Sequence, residues 1–230
     1  VQGACTLNTI SRATCAAYSS TENTWEALFQ RQGQTFDAPK LVFFSGTGQS
    51  GCGVAQAAMG PFYCPPDQGI YIDTSFFDEL ANRFGATGDF AQYYVVAHEM
   101  GHHIQNITGT MEKYPNNGTG PTSNGVRTEL QADCFAGMWA GHAASTVDPE
   151  SGAPFLKPIS QDQLRQAIDA ASAVGDDRIQ STHTGRVDPE AFTHGTSEQR
   201  MAWFMRGYQS SQQEPDIRQC DTFRASSLDI

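Results

Sequence analysis

The stretch Ala97-His98-Glu99-Met100-Gly101-His102-His103-Ile104-Gln105 constrains this chain more than any other. It contains H-E-x-x-H, a pattern that has chemical meaning only on a helix. There His98 and His102, four residues apart, stand one turn above the other on one face. Two imidazoles so placed can hold one zinc ion. Glu99, next to the first, can reach a water in the metal's open position and serve as general base. Tyr93, Val96, Ala97, Met100, Ile104 and Ile107 recur at helical spacing with no proline among them. The spacing therefore predicts a helix from Asp89 to Thr108. Gly101 inside it costs about 1 kcal/mol against alanine, which points to a second backbone coming close. His103 lies about a quarter-turn from the ligand face and reads as structural, held by a carbonyl or an acid.

Two histidines leave a zinc site one protein ligand short. The best later source is Glu129-Leu130-Gln131-Ala132-Asp133, on a helix predicted from Gly125 to Ala144. Glu129 and Asp133 then share a face. Glu129 is the expected third ligand. Asp133 is expected to accept a hydrogen bond from the non-ligating nitrogen of a zinc histidine and so fix its tautomer. The bland alternative is a pair of acids on a solvated helix face.

The chain has 230 residues and a formal net charge of -11. That length suits one domain or two apposed lobes. The charge argues against nucleic acid or an anionic membrane as partner. No apolar run is long enough to span a bilayer, and no signal peptide is visible in this numbering. The six cysteines include no C-x-x-C, and their even count suggests disulfides and a secreted or extracytoplasmic protein. Proximity pairs Cys5 with Cys15 and Cys52 with Cys64, which leaves Cys134 with Cys220. Asn106-Ile107-Thr108 and Asn117-Gly118-Thr119 are sequons that fit a glycoprotein, although short sequons also arise by chance.

Along the chain, residues 1–20 read as a Ser/Thr/Ala-rich N-terminal arm, and 21–230 as a single catalytic domain. Within the latter, 21–108 form a sheet-and-helix lobe and 109–230 a helical lobe. Strands are expected near 41–45, 61–64 and 69–73, the last two as a hairpin. The Gly-rich segment 46–53 lacks a lysine and reads as a turn, not a phosphate cradle. Helices are expected from Thr21 to near Gly33, over 75–84, from Ser160 to Val174, and onward from Thr196, with a polar loop over 109–124. The fold class is α+β: a small, mostly antiparallel sheet packed on the H-E-x-x-H helix, then a mainly helical C-terminal part. The metal cleft lies between them, with an edge strand to bind a peptide.

With these residues in view, the chain resembles the neutral zinc metallopeptidase family, related in its motif to thermolysin-like gluzincins. The resemblance runs in order from residue 21 onward. Its early part is Thr24-Trp25, Pro39-Lys40-Leu41-Val42, Ser50-Gly51-Cys52-Gly53, Gly60-Pro61-Phe62-Tyr63-Cys64-Pro65, Phe76-Phe77 and Gly85-Ala86-Thr87-Gly88-Asp89-Phe90-Ala91. It continues through the H-E-x-x-H segment, Glu129 to Gly137, Gly175-Asp176-Asp177, Phe192 to Ser197, Gln199-Arg200 and Cys220-Asp221-Thr222-Phe223. It implies zinc, hydrolysis of peptide bonds, ligands at His98, His102 and Glu129, and a base at Glu99. Members often carry an N-terminal membrane segment, in place of which this chain has the Cys5/Cys15 arm. That departure suggests a soluble secreted form.

Gluzincin-like sites add a donor for the oxyanion, and His194, before Gly195-Thr196, is the candidate; a helix-capping histidine is its alternative. Tyr71, Tyr93 and Tyr94 are further possible donors or simply core. His142 and His183 read as surface residues. Asp176 and Asp177 either bind calcium or mark a helix end or a salt-bridge site. The substrate expected is a peptide or protein and the state a monomer. Two other readings stay open: a deformylase-like amidohydrolase with Cys52 as a thiolate ligand, and a non-catalytic zinc-stabilised binding module.

Overall fold

The computed structural model describes residues 3–56, 60–84, 86–118, 120–183 and 194–230, with only the backbone course given for 54–56, 86–89 and 173–183. The elements are α1 (Thr9–Arg31), β1 (Lys40–Phe44), β2 (Thr47–Ser50), β3 (Gly53–Gln56), β4 (Phe62–Cys64) and β5 (Gly69–Asp73). They continue as α2 (Thr74–Phe84), α3 (Ala86–Ile107), α4 (Thr110–Lys113), α5 (Asn124–Ser145), α6 (Gln161–His183) and α7 (Ser197–Gln212). The fold is α+β, with the helices dominating the C-terminal part.

The N-terminal arm is a correction. Residues 9–20 belong to the same helix as 21–31. Asn8 caps its start, accepting from the Ser11 amide while the Ser11 hydroxyl accepts from the Asn8 amide. Serines and threonines are poor helix formers because their hydroxyls compete for backbone groups. Here that competition is turned inward. The Thr14 and Thr21 hydroxyls donate to the carbonyls of Ile10 and Tyr18, both at 2.8 Å. Thr14 also accepts from the Gln92 amide on α3 at 2.8 Å, and Ser20 accepts from the Trp139 indole on α5 at 2.9 Å. The small polar face of α1 is thus a buried interface, so no apolar stripe marked it. Cys5–Cys15 staples the preceding turn to this helix.

The main sheet has the order β1-β5-β4. β5 lies in the centre and is wholly buried; Ile70 and Ile72 are 0% exposed. β4 pairs with it antiparallel, forming the expected hairpin, and β1 pairs with it in parallel, Leu41 opposite Ile70 and Phe43 opposite Ile72. The Gly-rich segment is a second antiparallel hairpin, β2–β3, turning at Gly51-Cys52. Cys52–Cys64 ties that turn to β4. Among the described residues, two of the three strand pairings are antiparallel.

α3 lies against this sheet and against α1, α2, α5 and α6. Its C-terminal end is fixed by Asn106, whose amide donates to the Tyr63 hydroxyl at 2.9 Å and the Pro65 carbonyl at 3.1 Å. That side chain is engaged in the fold, whereas Asn117 is exposed in the 114–123 loop; Thr119 of its sequon lies outside the described residues. The expected loop over 109–124 contains the single turn of α4. The proposed lobe division at 108 falls in the short turn between α3 and α4.

Among the C-terminal helices, α5 and α7 are packed closest. A Cβ on Gly137 would sit 1.9 Å from the Phe204 carbonyl oxygen, and one on Gly207 1.9 Å from that of Cys134. Only glycine on both helices lets the backbones meet so closely. Cys134–Cys220 then ties the chain after α7 back to α5. α6 runs on past Gly175-Asp176-Asp177 to His183, so that segment is not a helix end: the strong cap at Ser160 and the apolar face through Ile168 and Ala171 carry the helix through one glycine. The side chains of Asp176, Asp177 and His183, and residues Phe192 and Thr193, lie outside the described part. Among the described residues no helix is long and apolar enough to cross a membrane.

Candidate metal centre

His98, Glu99 and His102 stand on α3, and Glu129 and Asp133 on α5. The two helices can converge because of Gly101, where an added Cβ would lie 2.9 Å from the Ala132 carbonyl oxygen and 3.0 Å from Ala132 Cα. α5 begins at a Ser123 cap that accepts from the Val126 amide, so Glu129 sits in its second turn, facing α3.

The ligand-type atoms of His98, His102 and Glu129 all lie within 4.8 Å of one another. Glu129 Oε2 is 2.9 Å from His98 Nε2 and 3.4 Å from His102 Nε2. Four ligands at zinc bond lengths of about 2.0–2.1 Å stand about 3.3 Å apart, so the donor spacing suits a small tetrahedral ion. Both imidazoles present Nε2 inward, and in both the other nitrogen is held. His98 Nδ1 lies 2.8 Å from Asp133 Oδ1. His102 Nδ1 lies 2.8 Å from Gln105 Oε1. Two nitrogens and one carboxylate oxygen, oriented from behind, are the donor set of a zinc centre with an open fourth position.

Behind Asp133 lies a buried cation. Arg200 on α7 donates through Nε to Asp133 Oδ2 at 2.9 Å and through Nη2 to the Tyr94 hydroxyl at 2.7 Å, and its Nη1 reaches Ser172 on α6 at 2.9 Å. The Tyr94 hydroxyl in turn donates to Asp133 Oδ1. Burial opposes ionisation of Asp133, but Arg200 and His98 hold its pKa below the usual value. Behind Gln105, the Nε2 amide donates to the Thr128 carbonyl and to Gln131 Oε1, both at 2.9 Å, and Gln131 Nε2 donates to the Cys220 carbonyl at 3.0 Å.

The electrostatics favour a bound cation. Burial works against charge on both imidazoles, yet Asp133 and Glu129 carry His98 up to about 10, and Glu129 raises His102. Burial pushes the Glu129 carboxyl up, but the His102 and His98 imidazoles pull it well below the carboxylate range. Glu99 behaves differently: burial dominates and raises its pKa, with His102 and His98 opposing. A raised pKa makes a carboxylate a stronger base, the direction wanted of a proton carrier.

The other candidates fall as follows. His194 lies in the loop before α7, near enough to Glu129 to contribute to lowering its pKa, and Thr196 after it is the α7 cap in a capping box with Gln199. His103 is fully buried and structural: Nε2 lies 2.6 Å from the Asp37 carbonyl and Nδ1 2.8 Å from the Tyr63 hydroxyl. Tyr94 serves Asp133, Tyr71 donates to Asp67 at 2.6 Å, and Tyr93 packs on the core. His142 is half-buried against Thr24 at 3.1 Å, not a free surface residue. Cys52 is in a disulfide and offers no thiolate, which removes the deformylase-like ligand set. Arg200, Gln105 and Gln131 went unassigned in the sequence. Arg200 carried no periodic signal, whereas Gln105, one turn after His102's neighbourhood on the same helix, could have been found from its i,i+3 spacing.

No solved structure matches this chain. An uncharacterized protein of Mycobacterium tuberculosis is 46% identical over 210 residues, covering 91% of this chain and 70% of that protein. The uncharacterized protein YpfJ of Escherichia coli is 45% identical over 221 residues, covering 94% of this chain and 72% of that protein. The family model described as "Putative neutral zinc metallopeptidase" matches residues 6–223, nearly the whole chain, with the histidines and carboxylates described above inside it. The chain belongs to that family of zinc metallopeptidases.

Proposed function

We propose that this protein is a zinc-dependent endopeptidase, exported from the cell, that hydrolyses peptide bonds with Glu99 as general base. The observation that carries the reading is the meeting of His98 Nε2, His102 Nε2 and Glu129 Oε2 within one ion's reach, with the buried Glu99 beside them. Zinc bound there supplies Lewis-acid polarisation of a carbonyl and acidification of a water to a pKa of about 7. His98, His102 and Glu129 hold the metal. Asp133, clamped by Arg200 and Tyr94, keeps His98 turned with Nε2 inward. Glu99 takes a proton from the attacking water and returns it to the leaving amine nitrogen. His194, beside Glu129, donates to the carbonyl oxygen as it gains charge. An edge of the β1-β5-β4 sheet aligns the substrate backbone as an added strand. The three disulfides fit an oxidising compartment.

Metal content and cleavage of casein or a quenched peptide test this in wild type, Glu129→Ala and Glu99→Gln together. We expect one zinc and cleavage in wild type, loss of both in Glu129→Ala, and zinc without turnover in Glu99→Gln. Cleavage retained in Glu99→Gln would remove the base assignment; zinc without cleavage in wild type would favour a non-catalytic zinc module.

A further inference from the structure

His98 and His102 are oriented from behind by different chemistry. His98 leans on a carboxylate, His102 on a neutral amide, Gln105. A carboxylate only accepts, so it forces the facing ring nitrogen to carry hydrogen. A carboxamide has a donor end and an acceptor end, so Gln105 orients His102 only if its own orientation is fixed. The surroundings fix it. Gln105 Nε2 faces the Thr128 carbonyl, which only accepts, at 2.9 Å. It also faces Gln131 Oε1 at 2.9 Å. Gln131 is oriented in turn by the Cys220 carbonyl, 3.0 Å from its Nε2. Each link admits one direction of donation, and every member is buried or nearly so.

We propose that Gln105 and Gln131 form a one-way amide relay. It starts at two backbone carbonyls, those of Thr128 and Cys220, and fixes His102 as the Nδ1–H tautomer, leaving the Nε2 lone pair aimed inward. Gln105 is a positioning residue with a second task. The carbonyl it holds belongs to the residue before Glu129, so one side chain of α3 sets both the ring of one ligand and the backbone that carries another. The polarity of the relay is anchored where Cys134–Cys220 closes, since Cys220 supplies the terminal acceptor. The consequence for zinc rests on the ligand assignment above; the tautomer does not.

Two readouts separate the relay from that assignment. Long-range 1H–15N correlation spectra of metal-stripped protein, taken upward in pH until each ring is neutral, report which nitrogen of that ring then carries hydrogen. Competition with a chromophoric chelator reports zinc affinity. In wild type His102 is expected as Nδ1–H. In Gln105→Leu the ring is expected to lose that single tautomer while His98, held by Asp133, keeps its own. Zinc binding is expected to weaken by about 10- to 100-fold, the usual range for losing a group that orients a ligand. Gln105→Glu keeps an acceptor towards His102 and is expected to keep the tautomer. Gln131→Met, one link further away, is expected to move both readouts in the same direction by less and serves if Gln105→Leu does not fold, the unchanged His98 signals reporting an intact core. An unchanged His102 tautomer in folded Gln105→Leu or Gln131→Met overturns the relay. A His102 tautomer present in wild type and lost in Gln105→Leu, in a protein that binds no zinc, sustains the relay and removes the metal assignment instead.

Discussion

At the scale of single residues, the costliest groups in this protein are the charges taken out of water around Asp133. Arg200 is 7% exposed and Asp133 0%, and each is tolerable only because the other is there. Arg200→Met removes one partner and leaves a buried carboxylate facing only His98 and Tyr94. We expect a loss of about 3–5 kcal/mol, read as a shift of the urea midpoint with little change in slope, and a smaller loss in the double variant Arg200→Met/Asp133→Leu. His142 gives a pH-dependent case. Burial and the nearby Arg31 lower its pKa in the folded chain, whereas the unfolded value is about 6.5. Above that value both states are neutral and the Thr24 hydrogen bond counts in full. As the pH falls below it, the unfolded chain takes up the proton first and stability is lost. The stability gap between wild type and His142→Gln is therefore expected to narrow from pH 7.5 to 5.5; a constant gap in denaturation curves would contradict this. Glu99, the proposed base, and both histidines were legible as residues, because H-E-x-x-H ties chemistry to a fixed helical spacing. Arg200 was not, since nothing local distinguishes an arginine that will be buried beside an aspartate on another helix from one that will face water.

At the scale of elements, legibility followed periodicity. α2, α3 and α5 were placed within a few residues of their ends, and α7 at its start. Gly101 was read as a point of close approach, and the approach is there, against Ala132. α1 was half missed because its buried face includes Ser11, Thr14, Thr21 and Thr24, of which Thr14 and Thr24 hydrogen-bond across to α3 and α5 only in the assembled fold. The Gly137–Gly207 contact escaped notice for a similar reason. A glycine in a helix reads as a weakness until the partner helix is in place. Gly137→Ala is expected to cost more than about 3 kcal/mol, beyond ordinary overpacking, because its Cβ would meet the Phe204 carbonyl and not a side chain that can swing away. Thermal unfolding measures this, and Ala140→Gly on the same helix, without such a clash to relieve, is expected to cost only about 1 kcal/mol plus a methyl's packing.

At the scale of the whole molecule, the disulfides divide between local staples and one long tie. Cys5–Cys15 and Cys52–Cys64 span 10 and 12 residues, whereas Cys134–Cys220 spans 86. By chain entropy the long one restricts the unfolded state most, by about 4–5 kcal/mol. The double variant Cys134→Ser/Cys220→Ser is expected to lose roughly that much, and more than either short pair, in equilibrium denaturation under non-reducing conditions. Its loss should also reach the metal centre, because Cys134 neighbours Asp133 and the Cys220 carbonyl holds Gln131.

The long tie also sets the order in which the proposed site is completed. A ribosome or export channel delivers the chain from one end, and α3 with α5 emerges well before residue 220. Yet Arg200 and Cys220, which hold Asp133 and Gln131 from behind, arrive among the last residues described. A half-delivered chain thus holds all three proposed ligands without the groups that aim them. On the proposed function, the site is therefore aimed only once the chain has been delivered through residue 220.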